Sequence, residues 1–418
     1  MLFIRSLCII LLFSQISTLF AQNDSILYAS YTTAANRAKL YKVISNSIGN
    51  LSKPLADSTE ELYEDAFSSM ELIYHRSPWA DARIRYAFDS INNRTVHFQR
   101  SLLELAYSNY PLEFIKQVNG LARQTTNEKI FAMCAEYLLK KRNDSTNRSY
   151  LLRLVQAKFP DEQHPILTSL RWRLGNQSAN STFHDMFFKE YLPNAIVLFS
   201  FQRKNRDYPG LVIIRDTMGN FVRNADGTLF YVTQLARSLS NLPGYLTNGS
   251  TPQGLFRMDG FAKSKSTFIG PTTNIQLTMP GETSIRHFFN DSTIIDSIWT
   301  EALYSRLLPP AARSYFPLYG TYYAGMAGRT EIIAHGTTVD PNYYHSQLYF
   351  PYTPTEGCLC TKELWDPADG KRVESDQQKL VNAIKKVGGA NGYCIVIELN
   401  DDQRPVSLED VLSFTSLK

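Results

Sequence analysis

The run Ala195-Ile-Val-Leu-Phe-Ser-Phe201 marks a change in the chain from helix-forming to strand-forming sequence. Its residues are mostly branched or aromatic, and runs of this kind are bounded by Gly, Pro, Asn and Asp, as is typical of strands. Similar runs follow at Gly210–Ile214, Thr228–Val232 and Tyr393–Leu399. The second half of the chain is therefore predicted to be mainly β.

The sequence before this change has a different apolar spacing. From about Ser58 to Leu174, apolar side chains recur at three- and four-residue steps, which predicts successive helices. One such series is Leu62, Ala66, Met70 and Ile73. Short polar or proline-containing breaks separate the segments, and this favours stacked helical hairpins in the manner of a helical-repeat array. The predicted fold is α+β, with an N-terminal α-helical array followed by a mainly β domain.

The first residues have the order of a secretory signal peptide. Arg5 precedes an apolar run, and a small residue comes before Gln22, so residues 1–21 are predicted to be removed on export. The apolar run is shorter than the roughly 20 residues that a membrane-spanning helix needs. We expect an exported protein with no permanent membrane anchor.

The remaining chain exceeds the usual length of one domain, which is about 100 to 200 residues. The predicted boundaries are 22–174 for the α-helical domain, 175–182 for a polar linker and 183–418 for the mainly β domain. Helices are also expected inside the β domain, where the apolar spacing lengthens again at about Ile298–Leu307 and Asp376–Lys386.

The charge balance and the number of cysteines argue against two classes of protein, nucleic-acid binders and disulfide scaffolds. The chain has 43 Lys and Arg against 39 Asp and Glu, with no concentrated basic surface of the kind that binds nucleic acid. Four cysteines remain after the signal peptide, which is too few for a disulfide scaffold in a chain of this length. At least one of the four, Cys134, Cys358, Cys360 and Cys394, is therefore a candidate working thiol.

Two segments carry the elements of thiol chemistry. Glu331-Ile-Ile-Ala-His335-Gly-Thr337 delivers a histidine to the end of an apolar run, and Thr355-Glu-Gly-Cys-Leu-Cys360 places a cysteine after a glycine. A nearby imidazolium stabilises a thiolate, which then attacks a carbonyl, and the imidazole returns the proton to the leaving group. Gly357 allows a sharp turn that aims backbone N–H groups, including that of Cys358, at the developing oxyanion.

These segments resemble the L,D-transpeptidases with a YkuD-type catalytic domain. The family has a histidine at a strand end, then a loop, then Ser/Thr-x-Gly-Cys followed by an apolar residue and Arg or Asn. Thr251-Pro-Gln-Gly-Leu-Phe-Arg257 resembles a further segment that precedes the catalytic motif in the family. The chain departs from the pattern at Glu356, where many members have histidine, and at Cys360, which replaces Arg or Asn.

The resemblance implies a site and a reaction. Cys358 would be the nucleophile and His335 the base, with the Gly336 carbonyl orienting the imidazole, and Thr355 and Gly357 would support the loop and the oxyanion. The substrate would be a peptidoglycan stem peptide in a bacterial periplasm or cell envelope. A thioester on Cys358 would be resolved by an amine as a 3–3 cross-link, or by water as in a carboxypeptidase. No metal or organic cofactor is implied.

Three alternatives stay open. Tyr343, Tyr344 and Tyr352 form either a substrate wall or ordinary packing. The side chains of His335, His345, Cys358 and Cys360 are also ligands that zinc accepts. Finally, the second half could be a catalytically degenerate scaffold that binds the cell wall, and the helical array could bind a protein partner.

Overall fold

The computed structural model describes residues 26–160, 163–175 and 183–415. The predicted signal peptide and most of the predicted linker lie outside these ranges. Among the described residues, no helix has the length and apolar character needed to cross a membrane.

Eight α-helices form the described part of the N-terminal region. They are α1 (Ala34–Gly49), α2 (Glu60–Leu72), α3 (Pro78–Asp89), α4 (Val96–Asn109), α5 (Ile115–Gln124), α6 (Glu128–Lys141), α7 (Ser145–Lys158) and α8 (Pro165–Leu174). Polar side chains start several of them by accepting a hydrogen bond from the N–H three residues later, as Ser77, Thr95, Asn127 and Asp144 do. The helical series thus begins before Ser58, because α1 precedes that position.

The helices share one core. α2, α4, α6 and α8 contact one another in succession, while α1, α5 and α7 each pack against the helix that follows. Aromatic side chains fill the space between them, as where Tyr63, Phe67 and Phe98 meet. Leu242, Tyr245 and Leu246 from the second half of the chain enter the same core, so the two halves are packed together.

An eight-stranded mixed sheet dominates the second half, with the order β3-β2-β1-β10-β4-β5-β6-β7. β1 pairs with β10 and β6 with β7 in parallel, and the other pairs are antiparallel. Two further strands, β8 and β9, form a separate hairpin. The strands are β1 (Ile196–Gln202), β2 (Gly210–Arg215), β3 (Tyr231–Gln234), β4 (Gly254–Ala262), β5 (Asn274–Thr278), β6 (Ile333–His335), β7 (Leu359–Cys360), β8 (Glu363–Trp365), β9 (Arg372–Ser375) and β10 (Asn391–Glu398).

The sheet nearly closes on itself. Leu235 follows β3 directly, and its N–H donates to the Cys360 carbonyl at 2.7 Å. The Cys360 N–H donates in return to the Leu235 carbonyl at 2.8 Å. These bonds join the two edges of the sheet and hold β7 from both sides.

Both faces of the sheet are covered. Along β1, Val197 and Phe199 enter one core, while Ile196 and Leu198 enter the core on the opposite face, as the two-residue period of a strand requires. Burial on both faces explains why the β1 sequence is apolar throughout. The covering helices are α9 (Ile285–Phe289), α10 (Glu301–Ser305), α11 (Gly320–Met326), α12 (Asp376–Lys386) and α13 (Leu408–Thr415).

The structure confirms a mixed α and β fold whose N-terminal region is helical. It also confirms the predicted strands that became β1, β2 and β10, and α12 has the predicted bounds. The strand predicted at Thr228–Val232 is wrong by three residues, because β3 spans Tyr231–Gln234. Thr228 belongs to a turn instead, where its hydroxyl and N–H both bind the Asp226 carboxylate and Gly227 has a φ of +83°. The predicted helix at Ile298–Leu307 shortens to α10.

Candidate active site

The parallel pairing of β6 and β7 places the predicted base and nucleophile on neighbouring strands. Ala334 pairs with Leu359, His335 pairs with Cys360, and the Thr361 N–H donates to the His335 carbonyl at 2.9 Å. Ala334 and Leu359 both enter the core beneath α12. Because side chains alternate along a strand, His335 and Cys358 lie on the opposite face of the sheet.

The loop that carries Cys358 is held by Thr355. The Thr355 Oγ1 accepts a hydrogen bond from the Gly357 N–H at 3.0 Å and donates one to the Cys358 carbonyl at 3.0 Å. The Thr355 carbonyl accepts from the Leu239 N–H at 2.7 Å. The Gly357 N–H is therefore already hydrogen-bonded within the loop. The Thr355 side chain holds the shape of this turn.

Gly357 allows two other segments to approach this loop. Its φ is +120°, a conformation that other residues rarely adopt, and a β-carbon there would lie 1.8 Å from the Arg329 Nη2. The Gly357 carbonyl accepts from the Thr251 Oγ1 at 2.8 Å. The Thr251–Gly254 segment therefore contacts the cysteine loop directly, although more than 100 residues separate them in the sequence.

Arg329 is a buried cation that sequence reasoning missed. Its guanidinium donates to the backbone carbonyls of Gly244, Gly249 and Ser250. The charge lies near Cys358 and favours its thiolate, while burial lowers the pKa of Arg329 to about 10. The available signal was its position, two residues before the Glu331–His335 segment.

His335 is buried, with 3% of its surface exposed. Its Nδ1 bonds the Gly336 carbonyl, which can only accept, so Nδ1 carries the proton and Nε2 presents a lone pair. Burial lowers the pKa of His335 to about 4, an effect that the Gly336 carbonyl partly opposes. The imidazole is therefore neutral at physiological pH and is set up as a proton acceptor.

Cys358 is the one partly exposed thiol among the described cysteines, since Cys134, Cys360 and Cys394 are buried. Its Sγ accepts from the Ile333 N–H at 3.4 Å and lies 3.6 Å from the Glu331 carbonyl. Burial of the sulfur raises the pKa of Cys358 to about 11, although the Ile333 N–H and Arg329 act in the opposite direction. The resting proton therefore stays on the sulfur.

These protonation states change one expectation. The sequence predicts a thiolate and imidazolium pair, but burial disfavours the charged form of both groups. No hydrogen bond joins Cys358 and His335, both of which lie in the described part of the chain. The resting site therefore holds a neutral thiol and a neutral imidazole on neighbouring strands.

A buried carboxyl group lies under the turn that orients His335. A β-carbon at Gly336 would lie 2.2 Å from the Glu363 Cδ, so only glycine fits there. The Ser375 hydroxyl donates to one oxygen of this carboxyl group. Burial raises the pKa of Glu363 to about 7. Glu363 is a second neighbour of the site that sequence reasoning missed.

The tyrosines predicted as a substrate wall divide into two groups. Tyr344 is 1% exposed, and its hydroxyl donates to the Leu72 carbonyl of α2, so a substrate-facing role for it is wrong. The bond to Leu72 connects this loop to the helical region, and the Tyr344 ring packs against Tyr349 within the loop. Tyr343 and Tyr352 are only partly buried, and their contact with substrate stays a prediction.

The two remaining candidate ligands of a metal ion, His345 and Cys360, differ in their exposure to solvent. His345 is exposed, and its ring bonds the Asn342 carbonyl. Cys360 is buried, with its thiol 3.8 Å from the Thr353 hydroxyl. Within the described ranges, no group of three or more His, Cys, Asp or Glu side chains is arranged as a metal site.

Comparisons with protein-family models, with curated proteins and with solved structures find no match to this chain.

The contact between Gly336 and Glu363 predicts a specific coupling. Gly336→Ala should lower the free energy of unfolding by roughly 1–3 kcal/mol, since the new methyl group overlaps the carboxyl group. The loss should be smaller in a Glu363→Ala background, which removes that overlap. Urea unfolding of the four proteins of this cycle measures the coupling. Gly120→Ala is the control, because its β-carbon would meet no atom within 4 Å. An equal loss in both backgrounds would contradict the assigned contact.

The raised pKa of Cys358 predicts how its reactivity depends on pH. Below its pKa, the thiolate fraction rises about tenfold for each pH unit, so alkylation by iodoacetamide should accelerate steadily into the alkaline range. The rates are measured on the native protein by peptide mass mapping, and the buried Cys394 serves as the internal control. A rate that is already constant at neutral pH would instead indicate a preformed ion pair.

Proposed function

We propose that this protein is a cysteine-dependent acyltransferase that acts on peptidoglycan stem peptides, as the L,D-transpeptidases do. The main support is the position of three segments. The three segments that resemble the family, which are far apart in the sequence, meet at the half-buried thiol of Cys358. β6 and β7 align His335 with the cysteine strand, and Thr251 bonds the residue that precedes the nucleophile.

The first half-reaction forms a thioester. The Cys358 sulfur attacks the carbonyl carbon between the third residue of a stem tetrapeptide and its terminal D-alanine, and its proton passes to the Nε2 of His335. When the tetrahedral intermediate collapses, the C–N bond breaks and His335 gives the proton to the departing amine. Free D-alanine leaves, and the acyl group stays on sulfur.

The second half-reaction releases the acyl group. An amine of another stem attacks the thioester, loses a proton to His335 and forms a 3–3 cross-link, while the thiol is restored. Water in place of the amine gives the free acid, as in a carboxypeptidase. Both outcomes use the same two side chains, so the acceptor that reaches the site decides between them.

The neutral resting states of Cys358 and His335 determine when the proton is transferred in this mechanism. Because the thiol holds its proton until substrate arrives, proton transfer to His335 accompanies attack on the carbonyl. Arg329 stabilises negative charge that develops on the sulfur. The Gly357 N–H is used within the loop, so the Cys358 N–H is the donor that we assign to the oxyanion.

A second candidate function is that of a wall-binding scaffold without turnover. The protonated resting thiol favours it, because the thiol form is a poor nucleophile. In either case we propose that the protein works outside the cytoplasm, in a bacterial periplasm or envelope, and that the helical region is available to a protein partner.

The nucleophile assignment predicts the effect of two neighbouring substitutions. Cys358→Ala should lower product formation on the order of a thousandfold or more, since the reacting sulfur is lost. Cys360→Ala should keep most of the activity, because that thiol is buried away from the loop surface. Sacculi are incubated with each protein and digested, and new muropeptides are identified by mass spectrometry.

A covalent probe separates the enzyme from the scaffold. A carbapenem should add its mass to Cys358 in the wild-type and Cys360→Ala proteins and leave the Cys358→Ala protein unmodified. Equal muropeptide production by the Cys358→Ala protein would refute the acyltransferase, and an unlabelled wild-type thiol would favour the scaffold.

A further inference from the structure

A cavity separate from the cysteine lies where the helical region meets the sheet region. It has a volume of about 580 Å³ and is lined from one side by α6 and α8 and from the other by residues that flank β1 and β4. That volume is within the range of small-molecule sites in proteins. Neither Cys358 nor His335 lines it, so it is not the site described above.

Arg206 is the most informative residue in this cavity. It is 6% exposed, and its Nη2 donates to the Glu398 carboxylate at 2.8 Å and to the Thr251 carbonyl at 3.3 Å. Its Nη1 is buried and has no partner within the described part of the chain. An unpaired buried donor is costly, and a charged one more so. A ligand that accepts a hydrogen bond from this nitrogen would remove that cost.

The charge of the lining favours an anion. Five cationic residues line the cavity against three acidic ones, which leaves an excess of two positive charges. Two of the carboxylates are already engaged, since Glu136 pairs with Arg173 and Glu398 with Arg206. Outside these two pairs, the lining has three cations, Lys140, Arg148 and Lys204, and one carboxylate, Asp401. Burial lowers the pKa of Lys140 to about 8.

The uncharged part of the lining suits a peptide. Trp172 of α8 stacks on Phe316 with 4.8 Å between the ring centroids, which gives a flat apolar wall. Gln253 lines the same space and offers both a donor and an acceptor to amide groups. Apolar side chains and backbone amides could thus be satisfied together beside a cationic anchor.

We propose that this cavity binds a short peptide through its terminal carboxylate, with Arg206 as the anchor. Two hydrogen bonds link Arg206 to the cysteine loop, because Arg206 donates to the Thr251 carbonyl and the Thr251 hydroxyl donates to the Gly357 carbonyl. Binding does not require the thioester chemistry, and a protein without the nucleophile should bind equally well.

The test uses N-acetylated alanine dipeptides to tetrapeptides, each as the free acid and as the C-terminal amide. Titration of the full chain is followed by calorimetry and by fluorescence, to which Trp172 in the cavity wall should respond. The free acid should bind in the millimolar range or tighter, and the amide at least about tenfold more weakly, since the charge-assisted bond is lost. Cys358→Ala should bind like the wild type, which separates this result from the proposed enzymatic activity.

Three substitutions locate the binding. Arg206→Gln should weaken binding of the acid about tenfold or more and largely remove the preference for acid over amide. Lys204→Gln, at an exposed position on the rim, should weaken binding by a smaller factor and tests the site even if the first variant folds poorly. Arg223→Gln, an exposed change between β2 and β3, is the matched control and should bind normally. Equal binding of acid and amide, no binding at millimolar peptide, or binding unchanged by both cavity variants would each overturn the proposal.

Discussion

The parallel pairing of β6 with β7 is the contact on which the candidate site depends. It sets His335 beside the cysteine strand and directs both side chains away from the core under α12. A slip of one residue would turn Cys358 into that core and expose Leu359, because the side-chain period of a strand is two. The bonds between Leu235 and Cys360 hold β7 from its other side, so closure of the sheet protects the register.

Burial keeps both Cys358 and His335 uncharged in the resting site. The same low-dielectric surroundings raise the pKa of the thiol and lower that of the imidazole, which keeps the proton on the resting sulfur. Arg329 opposes this effect locally and also ties down the carbonyls around Gly249. Under the proposed mechanism, the thiolate forms only when substrate is bound, and no ion pair exists in the resting site.

The helical region takes part in shaping the loops that carry the site. Tyr245, on the segment that leads to Thr251, donates to Glu136 of α6, and Glu136 in turn pairs with Arg173 of α8. Tyr344, on the segment that leads to Cys358, reaches the α2 backbone. Two of the three segments that meet at the cysteine are thus fastened to helices. This arrangement makes the helices and the sheet region one packed unit around the site.

The sequence predicted those helices and strands that are determined by the residues within them. The apolar runs of β1 and β10 and the apolar spacing of α12 are examples, and the residues of the thiol motif could also be identified from the sequence. Prediction failed where a partner distant in the sequence decides the outcome. Glu363 explains why residue 336 must be glycine, and Leu72 explains why Tyr344 is buried, yet neither contact leaves a periodic trace. Arg329 was missed for the same reason, since its three carbonyl partners lie in another segment.

In the proposed reaction, the Cys358 sulfur accepts an acyl group from a stem peptide. The most direct measurement is the intact mass of the protein after brief incubation with a stem tetrapeptide that ends in D-alanine, followed by an acid quench. Acyl transfer should increase the mass by that of the tetrapeptide less D-alanine, on the peptide that contains Cys358, and should leave free D-alanine in solution. An unmodified protein with no release of D-alanine would contradict it.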